Sequence, residues 1–179
     1  MKLYVMRHGE TITNQIHLIS GNNETDLTEN GIKQAKQARK YLENIEFDYV
    51  FTSPLSRARI TASHITNKSI IIDKRLIERD YGSFDLKRKC DVDYDGFWNY
   101  HTNLINDGEN IKDILKRVEN LITDLKNKYP DKNILLVTHS GVARAIHYYI
   151  TGIPKDGDLT TLEIPNCAVR VYEIEKDVK

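Results

Sequence analysis

The chain has 179 residues, 40% of them hydrophobic and 29% charged, and its 26 Lys+Arg match its 26 Asp+Glu for a formal net charge of +0. That length suits one compact domain over residues 1–179 with a real core, while the charge balance speaks against bulk nucleic-acid or membrane-surface binding, both of which need a basic excess. Two cysteines, Cys90 and Cys167, make no disulfide framework, and no apolar run is long enough for a signal-peptide core or a membrane span, so reduced thiols and cytoplasmic residence are expected.

Residues 2–6 read as a buried strand that runs into Arg7-His8-Gly9-Glu10-Thr11. From Thr28 to about Glu43, Ile32, Ala35, Ala38 and Leu42 recur at helical spacing. Tyr49 to Thr52 is strand-like, and Ser53-Pro54 predicts a helix start, with Ser53 as N-cap and Pro54 as first helical residue. Ile70-Ile71-Ile72 reads as a short buried strand. The polar and aromatic stretch Asp85 to Gly108 gives no assignable element. From Ile111 to about Tyr129, one apolar stripe (Ile111, Ile114, Leu115, Val118, Leu121, Ile122, Leu125) marks the clearest helix, which Pro130-Asp131 ends. Asn133 to Thr138 is a strand, followed by a helix through Ile150 that Gly152 terminates. Cys167 to Ile174 is a last strand. The alternation predicts an α/β three-layer sandwich: a mostly parallel central sheet flanked by helices, with a small cap or insertion.

Three segments share one layout, an apolar strand followed by a polar cluster and then a helix or turn: Val5-Met6 before Arg7-His8, Val50 to Thr52 before Ser53 to Arg57, and Leu136 to Thr138 before His139-Ser140-Gly141. Ligands of open parallel sheets bind beyond the carboxyl ends of the strands. Parallel neighbours would therefore bring two arginines and two histidines to one edge, where helix amino termini add donors for an anion. Guanidinium forks and imidazoles fit the oxygens of a phosphoryl group, and a neutral imidazole is a competent nucleophile for it. Arg7 beside His8 favours that neutral form. A lone His-Gly or Arg in a loop is more often structural. Three such strand ends together are not.

These residues, with Asn14, Ser20-Gly21, Asp26 to Gly31, Ser53 to Ala62, Leu76 to Gly82 and Val137 to Gly141, together resemble the histidine phosphatase superfamily, also called the phosphoglycerate-mutase-like family, over essentially the whole chain. The resemblance implies His8 as a phosphohistidine nucleophile and Arg7, Arg57 and His139 around the phosphoryl oxygens. Asn14 and Ser140 would add substrate contacts, and the backbone at Ser20 and Gly21 would close over the substrate. Glu78 would act as general acid and then base. The family uses no metal, no spaced ligand cluster is visible here, and neither metal nor cofactor is expected. The expected partner is a small phosphorylated substrate, with the chain a monomer or homodimer. Arg59 would point away on its helix, and His17, His64, His101 and His147 have no motif support.

The reading preferred is a metal-independent phosphatase, because the paired-arginine motif of the mutases is missing and Lys87-Arg88-Lys89 stands in a shorter stretch. Asn106-Asp107-Gly108-Glu109-Asn110 resembles the turn of the phosphatase branch, yet Ser83-Phe84-Asp85-Leu86 replaces its usual Trp-Glu-Gly continuation. The alternatives are a mutase-type phosphoryl transferase and a non-catalytic phosphate-binding signalling module. A serine hydrolase is disfavoured, since Thr138 and Val142 occupy the glycine positions of a nucleophile elbow.

Overall fold

The computed structural model describes residues 1–102 and 107–175. Five strands form one sheet: β1 (Lys2–Arg7), β2 (Tyr49–Thr52), β3 (Ile70–Ile72), β4 (Asn133–Thr138) and β5 (Val169–Glu173), in the order β3-β2-β4-β1-β5. The first four are parallel, and β5 runs antiparallel to β1. The helices are α1 (Ile12–Gln15), α2 (Glu29–Leu42), α3 (Ser56–Ile65), α4 (Ile111–Lys128) and α5 (Ser140–Thr151).

Strand side chains alternate between the two faces of the sheet, and two cores follow. Leu3, Val5, Phe51, Ile134 and Leu136 face the stripe of α4 and the apolar side of α5. Tyr4, Met6, Val50, Leu135 and Val137 face Ala38 and Leu42 of α2 and Ala58, Ala62 and Ile65 of α3. The expected three layers are thus present. Among the described residues no helix is long and apolar enough to cross a membrane.

Two local expectations need correction. The helix after β2 begins at Ser56, with Leu55 as N-cap, because Ser53 is used elsewhere: its Oγ accepts from Leu55 N at 3.2 Å and meets His139 Nε2 at 2.7 Å. The cap comes instead from outside the helix, where the Glu24 carboxylate accepts from Ser56 N and Oγ. The strand Ile70–Ile72 is not buried. It lies at the sheet edge with Ile72 54% exposed, since only β2 pairs with it.

The stretch from 85 to 102 that showed no element holds two single 3-10 turns, Lys89–Asp91 and Gly96–Trp98, with irregular turns around them and isolated bridges at Arg88 and Asn99. Tertiary contacts hold it. Trp98 is fully buried, with the Arg79 and Arg144 guanidinium groups 4.8 and 4.6 Å from its ring centre and its Nε1 donating to Tyr81 Oη at 3.0 Å. In the predicted turn before α4, Asp107 Oδ2 accepts from Ser83 N and Glu109 N donates to Asp80 O, whereas Asn106 lies outside the described residues.

The register aligns Arg7 with Thr138 and Thr52 with Val137, so β1, β4 and β2 end side by side. Because β4 sits between β1 and β2, the chain passes over its place and returns to fill it, the topological position at which such sheets bind ligands. We expect Leu136→Ala, in the fully buried centre, to cost about 2–5 kcal/mol in denaturant unfolding. Ile72→Ala on the exposed edge should cost under about 1 kcal/mol; equal losses would contradict this sheet order.

Candidate active site

Beyond these strand ends lies a narrow pocket lined by Arg7, His8, Asn14, Ser20, Gly21, Arg57, Glu78 and Ser140, together with Leu18, Ile19, Tyr81, Lys89 and Tyr94. Its free space is about 30 Å³, enough for one or two waters. A wider hollow of about 500 Å³ between Met1, Pro130 and Glu175 carries neither histidine nor arginine. Chemistry, not size, selects the site.

His8 follows the last residue of β1, and its backbone N–H continues the ladder to Thr138 O at 2.9 Å. Its ring Nδ1 lies 2.7 Å from Gly9 O. A carbonyl only accepts, so Nδ1 carries the hydrogen and Nε2 keeps its lone pair. Gly9 is itself held by its N–H on Thr61 Oγ1, which donates to Arg57 O. Burial first, then Arg7 and Arg57, push the His8 pKa well below the ordinary imidazole value, and the ring is neutral at neutral pH.

Arg57 is fully buried, and all three edges of its guanidinium are used. Nε donates to His139 Nδ1 at 3.2 Å, Nη1 to Asn23 O at 2.7 Å and Nη2 to Gly21 O at 2.8 Å. Two of its five N–H groups remain for an anion. Arg7 donates through Nη1 to Ile164 O, and its Nε is buried without a partner. Burial lowers both pKa values, with Glu78 the largest opposing influence, yet a guanidinium does not give up its proton in a protein. The pocket therefore holds two fixed positive charges.

His139 departs from expectation. It is fully buried behind the pocket, not in its lining. Since Arg57 donates to its Nδ1, the hydrogen is on Nε2, which donates to Ser53 Oγ. Its ring packs edge-on against His8 with centres 5.1 Å apart, so in this arrangement it buttresses Arg57 and His8.

Glu78 is buried, its Oε1 accepting from Arg79 N at 2.8 Å and its Oε2 from Gly141 N at 3.1 Å. Gly141 permits this close approach, since a Cβ there would lie 2.4 Å from Glu78 Oε1 and 2.9 Å from the buried Trp98 ring. The loop with Ser20 and Gly21 is tied to the segment 86–88 by Ile19 N on Lys87 O, Leu86 N on Ile19 O and a bridge between Leu18 and Arg88. Asp85 seals this seam. Its Oδ2 accepts from Asn23 Nδ2 at 2.9 Å, and Gly21, at φ 48°, leaves room for its Oδ1.

The sequence reading missed Ser53, Thr61, Tyr81, Asp85, Lys89 and Tyr94 as parts of this site. Lys89 was visible only as one of three adjacent cations, and nothing in the pattern picks it over Lys87. Arg59 is exposed, as expected. His101 lies away from the pocket, near Lys155 and Gly157.

The sequence profile described as histidine phosphatase superfamily (branch 1) matches residues 3–179. The chain is 31% identical to an adenosylcobalamin/alpha-ribazole phosphatase of Escherichia coli strain K12, covering 87% of this chain and 82% of that protein. It is 29% identical to a 2,3-bisphosphoglycerate-dependent phosphoglycerate mutase of Pasteurella multocida, over 100% of this chain and 97% of the mutase. That alignment spans 221 positions against the 179 residues here, so the mutase carries stretches with no counterpart. The crystal structure of an alpha-ribazole phosphatase from Shigella flexneri superimposes with a TM-score of 0.84 at 27% identity, covering 98% of this chain and 92% of that one.

Burial, then Asp80, raises the Asp85 pKa to about 6. The folded chain then holds a proton that the unfolded chain has already lost, so the Asp85 contribution is favourable at low pH and fades as pH rises through about 6. Asp85→Asn should therefore stabilise the protein at pH 8, by on the order of 1 kcal/mol after allowance for solvent screening, with the gain gone near pH 4. A gain independent of pH in denaturant titrations would contradict this.

Proposed function

The chain belongs to the histidine phosphatase superfamily, and on that premise we propose that it is a metal-independent phosphatase of small phosphorylated metabolites acting through a phosphohistidine on His8. The observation that carries this reading is the bond from His8 Nδ1–H to Gly9 O, which leaves Nε2 unprotonated in a pocket lined by the guanidinium groups of Arg7 and Arg57.

In the first step Nε2 attacks phosphorus, an N–P bond forms, and the bond to the leaving oxygen breaks. Arg7 and Arg57 balance the charge on the non-bridging oxygens. Glu78 acts as the general acid that passes a proton to the leaving oxygen. A water then attacks phosphorus, Glu78 takes its proton, the N–P bond breaks, and neutral His8 and inorganic phosphate result. His139 acts through Arg57, which it orients from behind. Gly21 and Asn23 carbonyls hold the same guanidinium from the loop side, so that positioning is built in before substrate arrives.

Phosphatase relatives such as the Escherichia coli alpha-ribazole phosphatase support hydrolysis, as does the absence here of stretches that the mutase carries. One observation favours a second reading, mutase-type transfer. Lys89 lines the pocket with its ammonium 4.9 Å from the Tyr94 ring centre, where it offers a countercharge to a second anionic group on the substrate.

An aryl phosphate should be hydrolysed in excess chelator; activity lost on chelation and restored by a divalent ion would contradict the metal-free route. His8→Ala should lower kcat by more than about 10³-fold with the fold intact. Glu78→Gln should slow alkyl phosphates by about 10²–10⁴-fold and aryl phosphates much less, since phenolate leaves without a proton. A parallel phosphoglycerate mutase assay separates the two readings.

A further inference from the structure

Asn166 lies in the turn between Pro165 and β5, far in sequence from the amino-terminal motif, yet its side chain reaches that motif twice. Nδ2 is 3.0 Å from His8 O and 3.1 Å from Asn14 Oδ1. The turn is pinned to the same residues by its backbone, Cys167 N lying 3.1 Å from Arg7 O and 3.3 Å from His8 O.

The donor and acceptor roles here are forced. A backbone carbonyl cannot donate, so the atom that Asn166 turns toward His8 O must be its NH₂. A backbone N–H cannot accept, so the atom that Asn14 turns toward Thr11 N, 3.3 Å away, must be its oxygen. Both amides are thereby oriented, and they agree: Asn166 Nδ2 donates to the Oδ1 that Thr11 N–H already selects. With Oδ1 holding two donors, Nδ2 is the free end of Asn14, on a residue that lines the pocket.

We propose that Asn166 is a positioning residue, which locks the Asn14 amide with its NH₂ available to a phosphoryl oxygen. The proposal rests on the reading that this pocket binds a phosphoryl group. Without Asn166, Thr11 N–H alone opposes rotation of Asn14, and the flipped amide would present an oxygen lone pair to an anion. Asn166→Asp is the sharper lesion: it keeps the shape, but its carboxylate, which only accepts, faces two acceptors.

The test is a double-mutant cycle on the full chain, read as calorimetric affinity for inorganic phosphate, with KM and kcat for an aryl phosphate alongside. Asn14→Ala and Asn166→Ala should each weaken phosphate binding by about 10- to 100-fold. The double variant should bind no more weakly than Asn14→Ala alone, and Asn166→Asp should bind more weakly than Asn166→Ala. A purely structural role would lower the melting temperature but leave the two losses multiplying in the double variant, and that result overturns the proposal. Asn166→Asp alone and combined with Asn14→Ala repeats the cycle where the alanine variant fails to fold. Wild-type protein that binds no phosphate would overturn the pocket reading itself; phosphate binding with a coupled cycle but no hydrolysis would sink only the catalytic reading.

Discussion

One fully buried and one half-buried guanidinium beside two neutral imidazoles are the constraint on which the rest of this molecule depends. Removing a cation from water is costly unless other groups replace the solvent. Arg57 finds those groups in His139 Nδ1 and two carbonyls, and Arg7 in Ile164 O with Glu78 nearby. The same two charges, with burial, keep His8 neutral. In the proposed reaction one set of groups therefore both prepares the nucleophile and receives the anion.

Holding those cations in place draws on distant parts of the chain. Glu24 caps α3, the helix that carries Arg57, from outside. The loop that follows Ile19 reaches Arg57 through carbonyls on one side and the 85–89 segment through Asp85 and paired backbone on the other. Glu78 is fixed between its own turn and the first turn of α5. The loop carbonyls that hold Arg57 thus belong to the same segment that lines the pocket.

Much of this was legible in the sequence because it rests on local pattern. Apolar runs gave β1, β2 and β4, and the stripe from Ile111 to Leu125 gave α4. Arg7-His8, Ser53 to Arg57 and His139-Ser140-Gly141 could be placed at one edge from the strand–helix alternation. What failed to show has a common cause. Ser53-Pro54 has the local chemistry of a helix cap, but the hydroxyl is taken by His139, 86 positions away. Ile70–Ile72 looked buried because hydrophobic runs do not reveal whether a strand lies at an edge. The stretch from 85 to 102 has no periodicity to read, since contacts such as Trp98 with Arg79, Arg144 and Tyr81 shape it. Asn166 meets Asn14 across 152 positions, and no short motif encodes that.

The most direct measurement is to quench wild-type enzyme during turnover of a phosphate-labelled substrate at alkaline pH, where phosphohistidine survives, and to locate the label by peptide mass spectrometry. The account predicts an acid-labile phosphoryl group on His8, attached at Nε2. Label on another residue, or steady turnover with no protein-bound phosphoryl group at any quench time, would contradict it.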